Sequence, residues 1–199
     1  MIYIEYIISL LYMMKFKAIP TKYNGLQFRS RLEAQWAAFF DLLGWNWEYE
    51  PYDLDGYIPD FVLIFKHDNI LVEVKPDTKI DDLKKYEKKI IDSGYTGKYL
   101  IVGSTLFGLH GIYTTIKSNY DDVILGLFNS TIKCHEDDND FIITKCQTCN
   151  NLTLCSESMT WICYMCGEYG KKVRGDIRMM DIIPLWHEAK NIVQYVNKK

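Results

Sequence analysis

The chain is 199 residues long, with 48% hydrophobic and 25% charged residues, the balance of a globular protein with one sizeable core and an appendage. Its formal net charge of -3 excludes a histone-like, purely electrostatic nucleic-acid binder, so attraction for phosphate has to be local. Four of its six cysteines fall in paired C-x-x-C units, which points to a metal site in a reducing, intracellular compartment and away from a secreted disulfide scaffold.

Met1 to Met14 is almost wholly apolar, yet shorter than the ~20 residues that span a bilayer. It also lacks the basic start and small-residue cleavage site of a signal peptide. It reads as an added strand or helix, or as sequence ahead of a start at Met13 or Met14, and no membrane partner is expected. Lys15, Lys17, Lys22, Arg29 and Arg31 then make a basic approach with no acid until Glu33. This is either a solvated loop or a track for a phosphate backbone. Arg29 and Arg31 are the stronger nucleic-acid candidates, because a guanidinium grips phosphate in a bidentate fashion.

Ser30 to Leu43 has helical periodicity, with Leu32, Trp36, Ala37, Phe39, Phe40 and Leu43 inward and Gly44 as terminator. Ser30-Arg31-Leu32-Glu33 fits a capping box, in which Glu33 returns a hydrogen bond to the cap. Trp45, Trp47 and Tyr49 alternate with polar residues as in a strand with one buried face. Glu50 and Asp53 read as solvated acids, and Asp55-Gly56 as a turn. Phe61 to Phe65 and Ile70 to Val74 form a hairpin around Lys66-His67-Asp68-Asn69, which would set Phe65 opposite Ile70, Val62 opposite Glu73 and Asp60 opposite Lys75. Asp60, Glu73 and Lys75 then share one face, and Phe61, Leu63, Phe65, Ile70, Val72 and Val74 the other. Two carboxylates ~4 Å apart repel by roughly 4 kcal/mol at an effective dielectric near 20, so the pair calls for a cation. Hard oxygen ligands select Mg2+ or Mn2+. Lys75 beside such an ion could activate water or neutralise charge on the phosphorane.

At Pro59-Asp60 and Glu73-Val74-Lys75 the sequence resembles the PD-(D/E)XK nuclease superfamily. The resemblance covers about residues 24 to 103. It implies an α/β, restriction-endonuclease-like core of helix, three-stranded meander, crossover helix and strand, with catalytic Asp60, Glu73 and Lys75. It also offers Glu33 a second reading beside the cap, as a helix acid completing the Mg2+ site.

Asp77 to Ser93 reads as the crossover helix, with Ile80, Leu83, Tyr86, Ile90 and Ile91 inward; the resemblance makes Lys84 and Tyr86 accessory candidates. Lys98 to Val102 is a further strand, parallel to its neighbour. His110 reads as a loop residue, residues 112 to 132 are ambiguous between helix and strand, and Glu136 to Asp140 is an acidic separator. Cys146, Cys149, Cys163 and Cys166, with 13 residues between the two pairs, have the spacing of a closed, structural four-thiolate Zn2+ ribbon. Cys134 and Cys155 fall outside it. Lys171, Lys172, Arg174 and Arg178 make a second basic patch, and Pro184 opens a helix to Asn197 whose apolar stripe would dock back on the core. The division is a nuclease-like domain over 1–132, a zinc ribbon over 133–175 and a closing helix over 176–199. The order of parts looks like that of small nucleases of phage and large-virus genomes, which implies a DNA substrate. The alternative is a catalytically inactive nucleic-acid or protein-binding module. Oligomeric state is not legible.

Overall fold

The computed structural model describes residues 18–66, 68–108, 123–129, 140–156, 162–170 and 179–194. The apolar N-terminal stretch, Lys15, Lys17, His67, His110, Cys134, the acidic separator up to Asn139 and the patch of Lys171, Lys172, Arg174 and Arg178 lie outside the described residues.

A hairpin of β1 (Thr21–Tyr23) and β2 (Leu26–Phe28) comes first. Its turn is Asn24-Gly25, with φ of 45° and 79°, the doubly left-handed turn for which Asn-Gly is the strongest short-range signal. The basic approach, a solvated loop or a phosphate track by its sequence, therefore holds a hairpin at residues 21–28, and the Asn-Gly dipeptide is the signal for it. Next comes α1 (Arg31–Leu43), capped by Ser30, whose hydroxyl accepts from the Glu33 amide at 3.1 Å. Gly44 at φ 73° lets the amides of Gly44 and Trp45 turn back to the Asp41 and Phe40 carbonyls, at 3.0 and 2.9 Å, which satisfies the last turn and stops the helix.

Strands β3 (Asn46–Tyr49), β4 (Phe61–Ile64) and β5 (Asn69–Val74) form an antiparallel meander. A 3-10 turn at Ile80–Tyr86 and α2 (Glu87–Asp92) then cross over to β6 (Lys98–Gly108), which runs parallel to β5. Antiparallel β7 (Val123–Asn129), β8 (Asp140–Lys145) and β9 (Leu152–Ser156) complete a seven-stranded sheet in sequence order, and α3 (Met179–Gln194) follows. The protein is thus mixed α/β.

Both sheet faces are covered. Phe61, Leu63, Ile70, Val72, Leu100 and Val102 pack under α1 and α3, whereas Leu71, Tyr99, Ile101 and Leu127 pack with Leu83 and Ile90 of the crossover and with Cys146 and Cys163. Helix α1 is held between sheet and α3. The Trp36 indole donates to the Gly103 carbonyl at 2.9 Å, while the Trp186 ring of α3 lies 4.6 Å from Trp36 and 5.2 Å from Phe39. That double burial explains why Ala34 and Ala38, outside the predicted stripe, are also fully buried.

Several details differ from the sequence reading. The last hairpin pair is Ile64 with Asn69, so Leu63, not Phe65, faces Ile70 and Val62 faces Leu71. Phe65 has moved into the turn, where its amide donates to the Asp68 carbonyl at 3.0 Å. The slip is two residues, so every side chain keeps its face, and continuing the register brings Asp60 across from Glu73 instead of Lys75. In the crossover the 3-10 turn advances the phase, so Leu83 and Ile90 point inward and Ile91 is 59% exposed. Helix α3 starts at Met179 with Pro184 inside it. Strands β8 and β9 are the end of the main sheet, so the cysteine-bearing segment is continuous with the core.

One close approach carries a prediction. A Cβ on Gly126 would lie 2.1 Å from the Ile101 carbonyl oxygen of β6, so β6 and β7 meet only because Gly126 has no side chain. Gly126→Val is expected to cost on the order of 3 kcal/mol by overpacking, or about 10 °C in Tm at this size. A thermal melt within about 2 °C of wild type would show that the strands can part.

Candidate carboxylate site and four-cysteine centre

Asp60 sits one residue before β4, and Glu73 is the fifth residue of β5. They are 4% and 3% exposed. Each of their four carboxylate oxygens has a protein donor. For Asp60, the Arg29 guanidinium donates through Nη2 to Oδ1 at 2.6 Å and the Val74 amide donates to Oδ2 at 2.7 Å. For Glu73, Lys75 Nζ donates to Oε1 at 2.5 Å and the Tyr57 hydroxyl to Oε2 at 2.8 Å. Lys75 also lies over the Tyr86 ring, 5.2 Å from its centroid. Asp60, Glu73 and Lys75 therefore come together as one constellation.

Burial, with the Glu73 charge next, pushes the Asp60 carboxyl up to about 7, against the pull of the Val74 amide and Lys75. Burial and Glu73 likewise raise the Tyr57 hydroxyl, which keeps it protonated and donating. The sign of the Asp60 effect on stability follows from linkage. The folded state holds a proton that the unfolded carboxyl releases near 4, so the stabilisation is complete below that pH and is lost as pH rises towards 7. Metal-free wild type should lose stability relative to Asp60→Asn as the pH rises across this window. Parallel pH-dependent melts of the two proteins check this, and curves that run parallel would remove the argument for a crowded, buried pair.

Glu33 is drawn elsewhere. Its Oε1 accepts from the Ser30 hydroxyl at 2.7 Å, and its Oε2 from the Tyr49 hydroxyl at 2.6 Å and the Arg29 amide at 3.1 Å. That is the capping arrangement, displaced by one residue so that the glutamate reaches the amide before the cap. Glu33, Asp60 and Glu73 do not converge into a three-carboxylate cluster: among the described residues, the cluster of three or more ligand side chains is the set of cysteines. Arg31 opens α1, its Nε buried and without a hydrogen-bond partner among the described residues.

Tyr57, Tyr49 and Glu50 were not singled out from the sequence as site residues. Tyr57 closes the Leu54-Asp55-Gly56-Tyr57 turn, with Leu54 and Tyr57 exchanging backbone hydrogen bonds at 2.8 and 3.1 Å. The Asp55-Gly56 dipeptide was the available signal. Glu50 has φ 48°, a costly conformation for a residue with a Cβ, and its carboxylate pairs with Arg29 Nε at 2.7 Å. Nothing local in the sequence announces that. Of the accessory candidates, Tyr86 donates to Asp77 at 2.7 Å, and Lys84 pairs with exposed Asp81 at 3.0 Å.

The four cysteines Cys146, Cys149, Cys163 and Cys166 place their sulfurs within 4.8 Å of one another. Cys146 to Cys166 is 3.8 Å and Cys149 to Cys163 is 3.7 Å, close to the ~3.8 Å edge of a tetrahedron with metal–sulfur bonds of about 2.3 Å. Two similar knuckles build it. The Asn150 amide returns to the Cys146 carbonyl and the Gly167 amide to the Cys163 carbonyl, at 2.8 and 2.7 Å, with Asn150 and Gly167 at positive φ. This site can bind a structural metal such as zinc. The second knuckle is tied to the meander, where Phe65 packs on Tyr164, and to β9, where the Tyr164 amide donates to the Thr153 hydroxyl at 2.9 Å.

No helix among the described residues is long and apolar enough to cross a membrane. No protein-family model matches the chain, and neither the curated proteins nor the solved structures give a match.

Proposed function

We propose that the chain is a Mg2+- or Mn2+-dependent nuclease that hydrolyses phosphodiester bonds in DNA. The observation that carries the reading is the buried, facing pair of Asp60 and Glu73 with Lys75 on the second of them. The order of helix, antiparallel meander, crossover and parallel strand supports it, being that of a restriction-endonuclease-like core. The donor set fits the ion, since both ligands are hard carboxylate oxygens, and burial together with the Glu73 charge raises the Asp60 carboxyl, as at sites where acids are crowded for a function.

Asp60 and Glu73 would hold the divalent ion, which supplies Lewis-acid polarisation of the phosphate and a lowered pKa for bound water. Lys75 holds the Glu73 carboxylate in place and keeps an ammonium proton within reach of water or of the charge that develops on phosphorus. Tyr57 fixes the other Glu73 oxygen. Arg29 and Arg31, at the entry to α1, would meet the phosphate backbone, and the basic sequence of Lys171, Lys172 and Arg174 offers further phosphate-binding side chains. Glu33, by its contacts, orders that entry. Zinc on the cysteines would be structural, since four thiolates leave no open position.

A binding module without catalysis is the second reading. It is favoured by the donors already present on all four carboxylate oxygens, because a satisfied site can persist without a cation. Cleavage of plasmid and oligonucleotides, DNA beside RNA, with Mg2+ or Mn2+ separates the two. The nuclease should cut in wild type and not in Asp60→Ala. Tight DNA binding with no metal-dependent cutting would establish the module.

A further inference from the structure

The Arg29 side chain spans two acids, with Nε on Glu50 at 2.7 Å and Nη2 on Asp60 at 2.6 Å. It is also the most exposed of the donors to the carboxylate pair: its side chain is 57% exposed, against 21% for Lys75, while Tyr57 is buried and the Val74 amide belongs to a strand. Of the four contacts on Asp60 and Glu73, the one from Arg29 can therefore be released without disturbing the sheet. Its two anchors are unequal. Asp60 is buried, whereas the Glu50 side chain is 30% exposed. Glu50 reaches Arg29 through a left-handed backbone at φ 48°, and its own amide donates to the Asp60 carbonyl at 3.0 Å. Such a conformation persists where its surroundings hold it, and here the amide hydrogen bond to Asp60 fixes the backbone from which the Glu50 carboxylate reaches the guanidinium.

We propose that Arg29 is an exchangeable counter-ion: its guanidinium gives way at Asp60 to an incoming divalent cation, stays attached to Glu50, and turns its freed edge towards the phosphate. Glu50 is then a positioning residue that keeps the released arginine beside the site. This rests on the metal-dependent reading above and adds that protein and metal compete for Asp60 Oδ1. The planar fork of Arg29 suits both roles, since carboxylate and phosphate offer it the same paired oxygens. Lysine carries the charge but cannot span Glu50 and Asp60 with two separate nitrogens.

The test is Mn2+ titration of DNA-free protein by calorimetry, with wild type, Arg29→Met, Arg29→Lys and Asp60→Asn, each first shown to be folded by its melt. Arg29→Met should bind Mn2+ about tenfold more tightly than wild type, a difference of about 1.4 kcal/mol. Arg29→Lys should fall between them while keeping the charge, and Asp60→Asn should lose binding. Equal Mn2+ affinity in wild type and both Arg29 variants, with Asp60→Asn still defective, would overturn the exchange and leave the metal site standing. Absence of Mn2+ binding in wild type and Arg29→Met alike would overturn the exchange together with the metal-dependent reading.

Discussion

Stripping the metal from the four-cysteine site is expected to unfold more than the two knuckles. Cys146 and Cys163 are fully buried and share a core cluster with Leu71 of β5, Ile101 of β6 and Leu127 of β7. The first knuckle joins β8 to β9, and the second packs its Tyr164 on Phe65 of the meander turn. Without the ion, four sulfurs held within 4.8 Å must stay protonated or repel. Structural zinc contributes about 10–16 kcal/mol of folding free energy in small finger peptides, and a whole domain has only about 5–15 kcal/mol to lose. A strong zinc chelator should therefore lower Tm by at least about 10 °C, and Cys163→Ser should accumulate as insoluble protein. Elemental analysis should give one zinc per chain. Identical melts with and without chelator, from protein holding no zinc, would reduce the cluster to buried thiols.

The second large effect is catalytic. On the nuclease reading, Lys75→Met is expected to lower kcat for DNA cleavage about 10²- to 10⁴-fold and to lower Tm as well, because it leaves the buried Glu73 carboxylate without the cation paired to it at 2.5 Å. Glu33→Gln should spare catalysis. Its carboxylate accepts from Ser30, Tyr49 and the Arg29 amide, so its loss removes a cap worth about 1 kcal/mol and lowers Tm by a few degrees, with kcat within a few-fold of wild type. Kinetics and melts of the two variants side by side separate the roles. A Glu33→Gln protein as inactive as Lys75→Met would return Glu33 to the chemistry, and a fully active Lys75→Met would remove lysine from it.

What could be read from the sequence was whatever has a local cause. The start, end and buried side of α1 follow from Ser30, Gly44 and the spacing of Trp36, Phe39 and Phe40, all of which act within one helix. The sharing of a face by Asp60 and Glu73 survived an error in hairpin register because strand parity is insensitive to a slip of two. What escaped depends on chain segments far apart. No pattern in the sequence says that β8 and β9 extend the sheet begun by β3, since strand pairing at that distance is decided by packing. Nor does any pattern say that Glu50 adopts a left-handed conformation and reaches back along the chain to Arg29. A solvated acid and a free phosphate-binding arginine are the ordinary reading of each alone, and only their juxtaposition with Asp60 changes it.

Seven strands laid down in the order in which they are synthesised allow the sheet to grow as the chain emerges, each newcomer finding its neighbour already in place. Helix α3 breaks that order, because Trp186 must return to Trp36 and Phe39 of the first helix. Assembly thus closes on its own beginning. A chain stopped short of Met179 would leave those two rings facing water on the helix whose first turn positions Arg29, and would tend to stick to its neighbours through them.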